Sequence, residues 1–274
     1  MTDLSLLDIP RLLGFQFFQY ALLGGVIAAF ACAWVGLFLI LRKEAMLGDG
    51  VAHTSFGGIA LGLLLGISPI LVALVVSILA VIGIHIMRTK GLARSDSAIA
   101  VMLATGFSAG LIIISLAGGF SVELFSYLFG SILTIDMSDL VIVTVLGLVT
   151  LGFLGVFYKE MLSITFDEGA AKLSGIPVET LAISFDVLVA TTIVLSIKVV
   201  GIVLVVALLV LPGLSALQLN LSFKGTAAAA VCFGTVSMVL GIILSAVYDV
   251  ATSGVIVFMA AGIFGVVAVY KRLG

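Results

Sequence analysis

Nine apolar stretches follow one another along this chain, with only short polar breaks between them. They run at about 15–41, 47–66, 69–88, 97–117, 138–157, 179–197, 199–219, 225–247 and 252–270. Each is close to the roughly 20 residues that a helix needs to cross the hydrocarbon core of a bilayer. Lipid offers backbone N–H and C=O groups no partners, so a spanning segment must satisfy them internally, as a helix, or around a closed barrel. These runs are long and continuously apolar, as spanning helices are. Composition agrees, with 63% hydrophobic and 9% charged residues, where a soluble domain carries about 25% charged. The expectation is an all-α, polytopic transmembrane bundle of about eight to nine helices, forming a single domain over 1–274. No stretch is polar enough for a separate soluble domain.

The break at 118–137 holds Glu123 and Asp136 among aromatic and apolar residues, and reads as an interfacial or re-entrant segment. The N-terminal Met1–Asp8 stretch lacks the basic start of a signal peptide, so the first run is expected to stay in the mature protein. Cys32 and Cys232 lie in apolar runs and read as small hydrophobes. A net charge of −2 gives no footing for nucleic acid.

Lys and Arg mark the cytoplasmic side of membrane proteins. If the loops 42–46, 88–96, 158–178 and 220–224 and the tail 271–274 share that side, they hold ten of the twelve basic residues. Arg11 and Lys198 remain opposite. Small residues at helix-packing spacing, Gly58, Gly62 and Gly66 in the second run and Gly106 and Gly110 in the fourth, predict close helix contacts.

The sequence has no phosphate-binding G-x-x-x-x-G-K-[ST] loop, no H-E-x-x-H and no G-x-S-x-G. No catalytic residue is expected, nor a bound cofactor. The main polar constellation is Gly48-Asp49-Gly50-Val51-Ala52-His53. Asp49 and His53 stand four apart and share one helical face. A carboxylate and an imidazole together suit a divalent ion such as zinc or manganese. The competing reading makes Asp49 a helix cap and His53 a hydrogen-bonded neighbour. Asp249, near the outer end of the eighth run, either lines a path or sits at the interface. Asp186 lies inside the sixth run and needs a partner, and His85 sits near the cytoplasmic end of the third. Asp3, Asp8, Glu123, Asp136 and Asp139 lie on the outer side, as solvated acids or attractors of cations.

One cytoplasmic loop has a defined shape of its own. In Phe166-Asp167-Glu168-Gly169-Ala170-Ala171-Lys172-Leu173-Ser174-Gly175-Ile176-Pro177, Asp167 can cap a short helix. Gly175 can end it and Pro177 blocks its continuation.

This loop joins a series of segments through which the chain resembles the permease subunits of ATP-binding cassette importers for zinc and manganese. In order they are Leu39-Ile40-Leu41-Arg42 with Leu47 to His53, Tyr127 to Leu133, and Phe166-Asp167 with Ala171 and Gly175-Ile176. Then come Val200 to Pro212, and Ser245-Ala246-Val247-Tyr248-Asp249 with Ser253-Gly254. The resemblance spans about 20–270. It implies an importer-type permease fold, a homodimer, two cytoplasmic ATPase subunits beneath it, and a separate extracytoplasmic protein that delivers the metal. It implies that Asp49 and His53 line the metal path. The coupling loop at 166–177, with Asp167, Glu168, Ala171, Gly175 and Pro177, would receive the ATPase stroke. The transported ion would be zinc by preference, with manganese or iron as the alternative. The Ser-Ala-Val-Tyr-Asp ending is nearer the zinc branch. Leu211-Pro212-Gly213-Leu214-Ser215 departs from the Pro-Ala-Ala-Thr-Ala usual in the family, so helix packing near Pro212 is expected to differ. Two rival classes are an ion-gradient transporter, disfavoured by the absence of an internal repeat, and a permease for organic metal chelates, disfavoured by the Asp–His pair.

The orientation is directly testable. A reporter fused after Gly274 should be active in the cytoplasm, because Lys271 and Arg272 belong to the basic side. Activity on the outer side would overturn the topology.

Overall fold

The computed structural model describes residues 14–119, 122–130, 135–248 and 250–273, apart from the side chains of residues 122, 123 and 273. Asp3, Asp8, Arg11 and Asp249 lie outside the described residues, as does the side chain of Glu123. The described residues form twelve helices and no strand. They are α1 (Gln16–Leu41), α2 (Met46–Leu65), α3 (Pro69–Thr89), α4 (Ser95–Leu116), α5 (Val122–Phe129) and α6 (Met137–Val156). There follow α7 (Tyr158–Phe166), α8 (Glu168–Leu173), α9 (Val178–Val200), α10 (Ile202–Leu217), α11 (Phe223–Tyr248) and α12 (Thr252–Leu273). Each of the nine apolar runs is a helix. Seven of them are long and apolar enough to cross a membrane. The other two differ for physical reasons. The start of α2 carries Gly48, Asp49, His53, Thr54 and Ser55, and α10 is only 16 residues long.

The chain divides into two compact units. One comprises residues 38–124 and 148–195. In it α2 lies against both α3 and α4. Lipid tails are as apolar as the helices, so this packing depends on close van der Waals approach. A Cβ on Gly57 would stand 2.6 Å from the Gly106 carbonyl oxygen, and one on Gly106 would stand 2.7 Å from Thr54 Cα. Gly58 and Gly62 give α3 the same access, at Ala73 and Pro69. Gly66 does not continue this stripe: it ends α2 in the left-handed region at φ 67°. Thr54 Oγ1 bonds back to the Gly50 carbonyl at 2.7 Å and reaches the Met102 carbonyl of α4 at 3.2 Å.

The second unit comprises residues 1–37, 125–147 and 196–274. Here α10, α11 and α12 pack on one another. The expected interfacial segment contains α5, which ends at Phe129, just before Gly130. Gly130 and Gly201 both have positive φ, 71° and 88°, and their backbones meet so closely that neither has room for a Cβ. Asp136 and Asp139 cap α6 reciprocally, since Asp139 N–H donates to Asp136 Oδ1 at 2.9 Å and Asp136 N–H to Asp139 Oδ2 at 3.1 Å. This is a capping box with aspartate at the third helical position. The bond from the Asp139 backbone holds the Asp136 carboxyl below its ordinary range. Asp139 is buried and pairs with Lys198 Nζ at 2.6 Å.

Gly57→Val should overpack the α2–α4 contact, costing about 1–3 kcal/mol. Thermal unfolding in detergent should show a lowered Tm, with Gly152→Val, which meets nothing within 4 Å, as the control. Equal Tm values would remove this contact from the packing account.

Candidate functional site

The first turns of α2 set the site. Its N-cap is Ala45, with no side-chain cap bond, so Asp49 does not cap the helix. Asp49 instead points along the same face as His53. Its Oδ1 lies 3.4 Å from His53 Nε2, and both side chains are about one-third exposed, at 33% and 35%. The separation is too long for a strong hydrogen bond. It does match two ligands of one tetrahedral ion, since donors about 2.0–2.1 Å from a shared metal stand roughly 3.4 Å apart. The imidazole edge abuts the Phe107 ring of α4, with centroids 5.1 Å apart and planes at 86°. Phe56 in turn packs on Phe107 at 5.2 Å. His53 Nδ1 is buried and has no hydrogen-bond partner among the described residues. The aromatic wall, not a second hydrogen bond, therefore fixes the ring. No group of three His, Cys, Asp or Glu side chains converges among the described residues, and this face offers two side chains of metal-ligating type.

Just before α2 lies a set of charges that the sequence analysis did not single out. Glu44 takes Arg88 Nη2 on Oε1 at 2.7 Å. Its Oε2 stands 3.1 Å from Arg42 Nε, a charge contact without aligned hydrogen-bond geometry. The Arg42 guanidinium also sits 5.2 Å above the Phe185 ring of α9. The side chains of Arg42 and Glu44 are each 8% exposed. Removing one partner of a buried pair of this kind costs about 3–5 kcal/mol, because the other charge is left uncompensated. Asp186, next to Phe185, is buried within electrostatic reach of Glu44, Arg42 and Arg88. Its Oδ1 has no hydrogen-bond partner among the described residues. The one available signal was Glu44 beside Arg42 and Lys43 at the end of an apolar run, since a charge at such a boundary needs a partner.

The 166–177 loop folds as its residues dictate. Asp167 Oδ1 accepts from Ala170 N–H at 2.9 Å and caps α8. Gly175, at φ 80°, closes it. Its N–H donates to the Lys172 carbonyl at 3.1 Å, and Ile176 N–H to the Ala171 carbonyl at 3.2 Å. These two bonds make a Schellman motif. Ala171 is fully buried, so it seats α8 on the protein, while Leu173 of α8 and Phe166 at the end of α7, 92% and 71% exposed, are the outward apolar groups of the loop. Glu168 and Lys172 of α8 line a cavity of about 230 Å³ together with Arg42, His85, Arg88 and Glu179, and Lys172 Nζ pairs with Glu179 Oε1 at 3.5 Å. His85 is thus placed with the loop and the buried charges, apart from Asp49 and His53.

Seven helices long and apolar enough to cross a membrane make this a multi-pass membrane protein, and its relatives place it among the permeases of the prokaryotic plasma membrane. The chain belongs to the ABC 3 transport family, whose sequence profile matches residues 14–271. It is 32% identical to the manganese transport system membrane protein MntC of Halalkalibacterium halodurans, over 93% of this chain and 87% of that protein. It is 29% identical to the high-affinity zinc uptake system membrane protein ZnuB of Haemophilus influenzae, over 94% of this chain and 98% of that one. Among solved structures it resembles PsaBC from Streptococcus pneumoniae in complex with Fab. That match has a TM-score of 0.85 and 32% identity, covering 94% of this chain and 93% of the other.

The Gly175 turn carries a prediction. Gly175→Pro loses the N–H that bonds to Lys172 and forces φ near −65°. The strain of about 1–3 kcal/mol should raise amide exchange across α8 about fivefold or more, with membrane level unchanged. Gly175→Asn, which tolerates positive φ, should leave exchange near the parent value. Equal protection in the proline variant would show that α8 does not need this cap.

Proposed function

We propose that this chain is the membrane-spanning permease of an ATP-driven importer of divalent transition metal, with zinc preferred. The observation that carries the reading is the Asp49–His53 pair. It places a carboxylate oxygen and an imidazole nitrogen 3.4 Å apart on one partly exposed helical face. A neutral imidazole selects borderline ions over calcium and magnesium, and the carboxylate offsets part of the ion's charge. Two protein ligands hold an ion loosely enough to release it, as transport requires. A second copy of the chain, presenting its own pair, would raise the set to four. ATP hydrolysis belongs to separate cytoplasmic subunits that dock on the 166–177 loop, where Phe166 at the end of α7 and Leu173 of α8 stand exposed beside Glu168. An extracytoplasmic binding protein delivers the metal. Asp249 remains a candidate for the outer part of the path.

Manganese is the second reading, favoured by the 32% identity to a manganese transport protein. Iron fits the same two ligands, since imidazole and carboxylate serve all three ions. Uptake of labelled zinc in competition with manganese and iron, in liposomes holding the whole transporter, separates these readings.

Asp49→Asn and His53→Gln each keep hydrogen-bonding capacity but remove a charge or an imidazole ligand. Each should lower labelled-metal uptake by at least about tenfold at matched membrane levels. Uptake equal to the parent in both variants would make the pair structural and move the path elsewhere.

A further inference from the structure

We infer that Arg42, Glu44 and Arg88 form a rigid joint that carries movement of the coupling helix to the Asp49–His53 pair. The inference rests on the importer reading above. The joint binds three segments that the sequence keeps apart. Glu44 lies in the turn between α1 and α2, five residues before Asp49. Arg88 lies in the last turn of α3, and its Nη2 reaches Glu44 Oε1 at 2.7 Å. Arg42 reaches Glu44 Oε2 at 3.1 Å and covers Phe185 of α9 at 5.2 Å. The helix α9 begins at Val178, a short turn after α8 ends at Leu173. A push on α8 therefore reaches α9 through the chain, the joint through Phe185 and Arg42, and the start of α2 through Glu44.

Burial makes the joint resist opening. Arg42 and Glu44 are each 8% exposed, so water cannot replace the lost partner and salt screens the pair little. Asp186, buried beside Phe185, adds a second acid near the two arginines. Arg42 and Arg88 of the joint and Glu168 and Lys172 of α8 line one cavity of about 230 Å³, which sets the coupling helix beside the joint. All of these residues lie in one compact unit with Asp49 and His53. Displacing the joint therefore tilts the metal-bearing face while the α2–α4 contact stays closed.

The test measures transport against ATP use in the whole transporter. Permease, ATPase subunits and binding protein are reconstituted in liposomes, and labelled zinc or manganese moved and ATP hydrolysed are counted together. Failure of the unsubstituted complex to move either ion counts against the importer reading itself. Given transport, Glu44→Gln and Arg88→Gln should each cut metal moved per ATP about tenfold while ATP hydrolysis stays within about twofold. The double variant should be no worse than the more severe single one, because both remove the same link. Arg88→Lys, which keeps the charge, should recover part of the ratio. An unchanged ratio in the single variants overturns the joint. So does a parallel loss of both activities in step with the amount of assembled complex, which marks a structural role only. If Glu44→Gln assembles too little complex to measure, Arg88→Gln decides, since Arg88 is 30% exposed and its loss strands less buried charge.

Discussion

Close approach of α2 to its neighbours is the constraint on which the functional unit depends. In lipid, helices gain nothing from hiding apolar surface, so they hold together only where backbones come near enough for dense contact. Gly57 and Gly106 permit this on one side of α2, and Gly58 and Gly62 on the other. The result is a helix clamped between α3 and α4 although its own first turns are polar. That clamping lets α2 expose Asp49 and His53 without sliding out of register, and it seats the His53 ring against Phe107.

Charge is the second organising force, because an ion in an apolar medium must find a partner. Three sets of the described charges answer this demand differently. Asp139 pairs with Lys198 and helps cap α6. Glu44 binds two arginines at the start of α2. Asp49 and His53, by contrast, stand in loose contact and are partly exposed. The first two sets look inward and hold structure. The third is under-satisfied, which is the state expected of groups whose partner comes and goes.

Much of this was legible in the sequence, for physical reasons. Apolar length fixes where helices run in lipid, so all nine runs emerged as helices, and the Asp167 and Gly175 caps followed from local chemistry alone. The i,i+4 spacing placed Asp49 and His53 on one face. The family resemblance found its counterpart in a profile match over 14–271. What failed to show was non-local. Glu44 and Arg88 are 44 positions apart, and no periodicity links them. The loop 158–178 held a second helix, α7, whose mixed polarity hid it among connector residues. The burial of Ala171, which seats α8 on the protein, was likewise not visible in the motif. Asp139 read as an outer acid, solvated or attracting cations, whereas it is buried, shares a capping box with the exposed Asp136 and pairs with Lys198.

The central claim is that Asp49 and His53 ligate the transported ion directly. Anomalous diffraction from crystals of the permease grown with zinc, recorded at the zinc edge, addresses it without relying on activity. The account predicts a peak about 2.0–2.2 Å from both His53 Nε2 and Asp49 Oδ1. A zinc peak bound elsewhere along the helices, with this pair left bare, would contradict it.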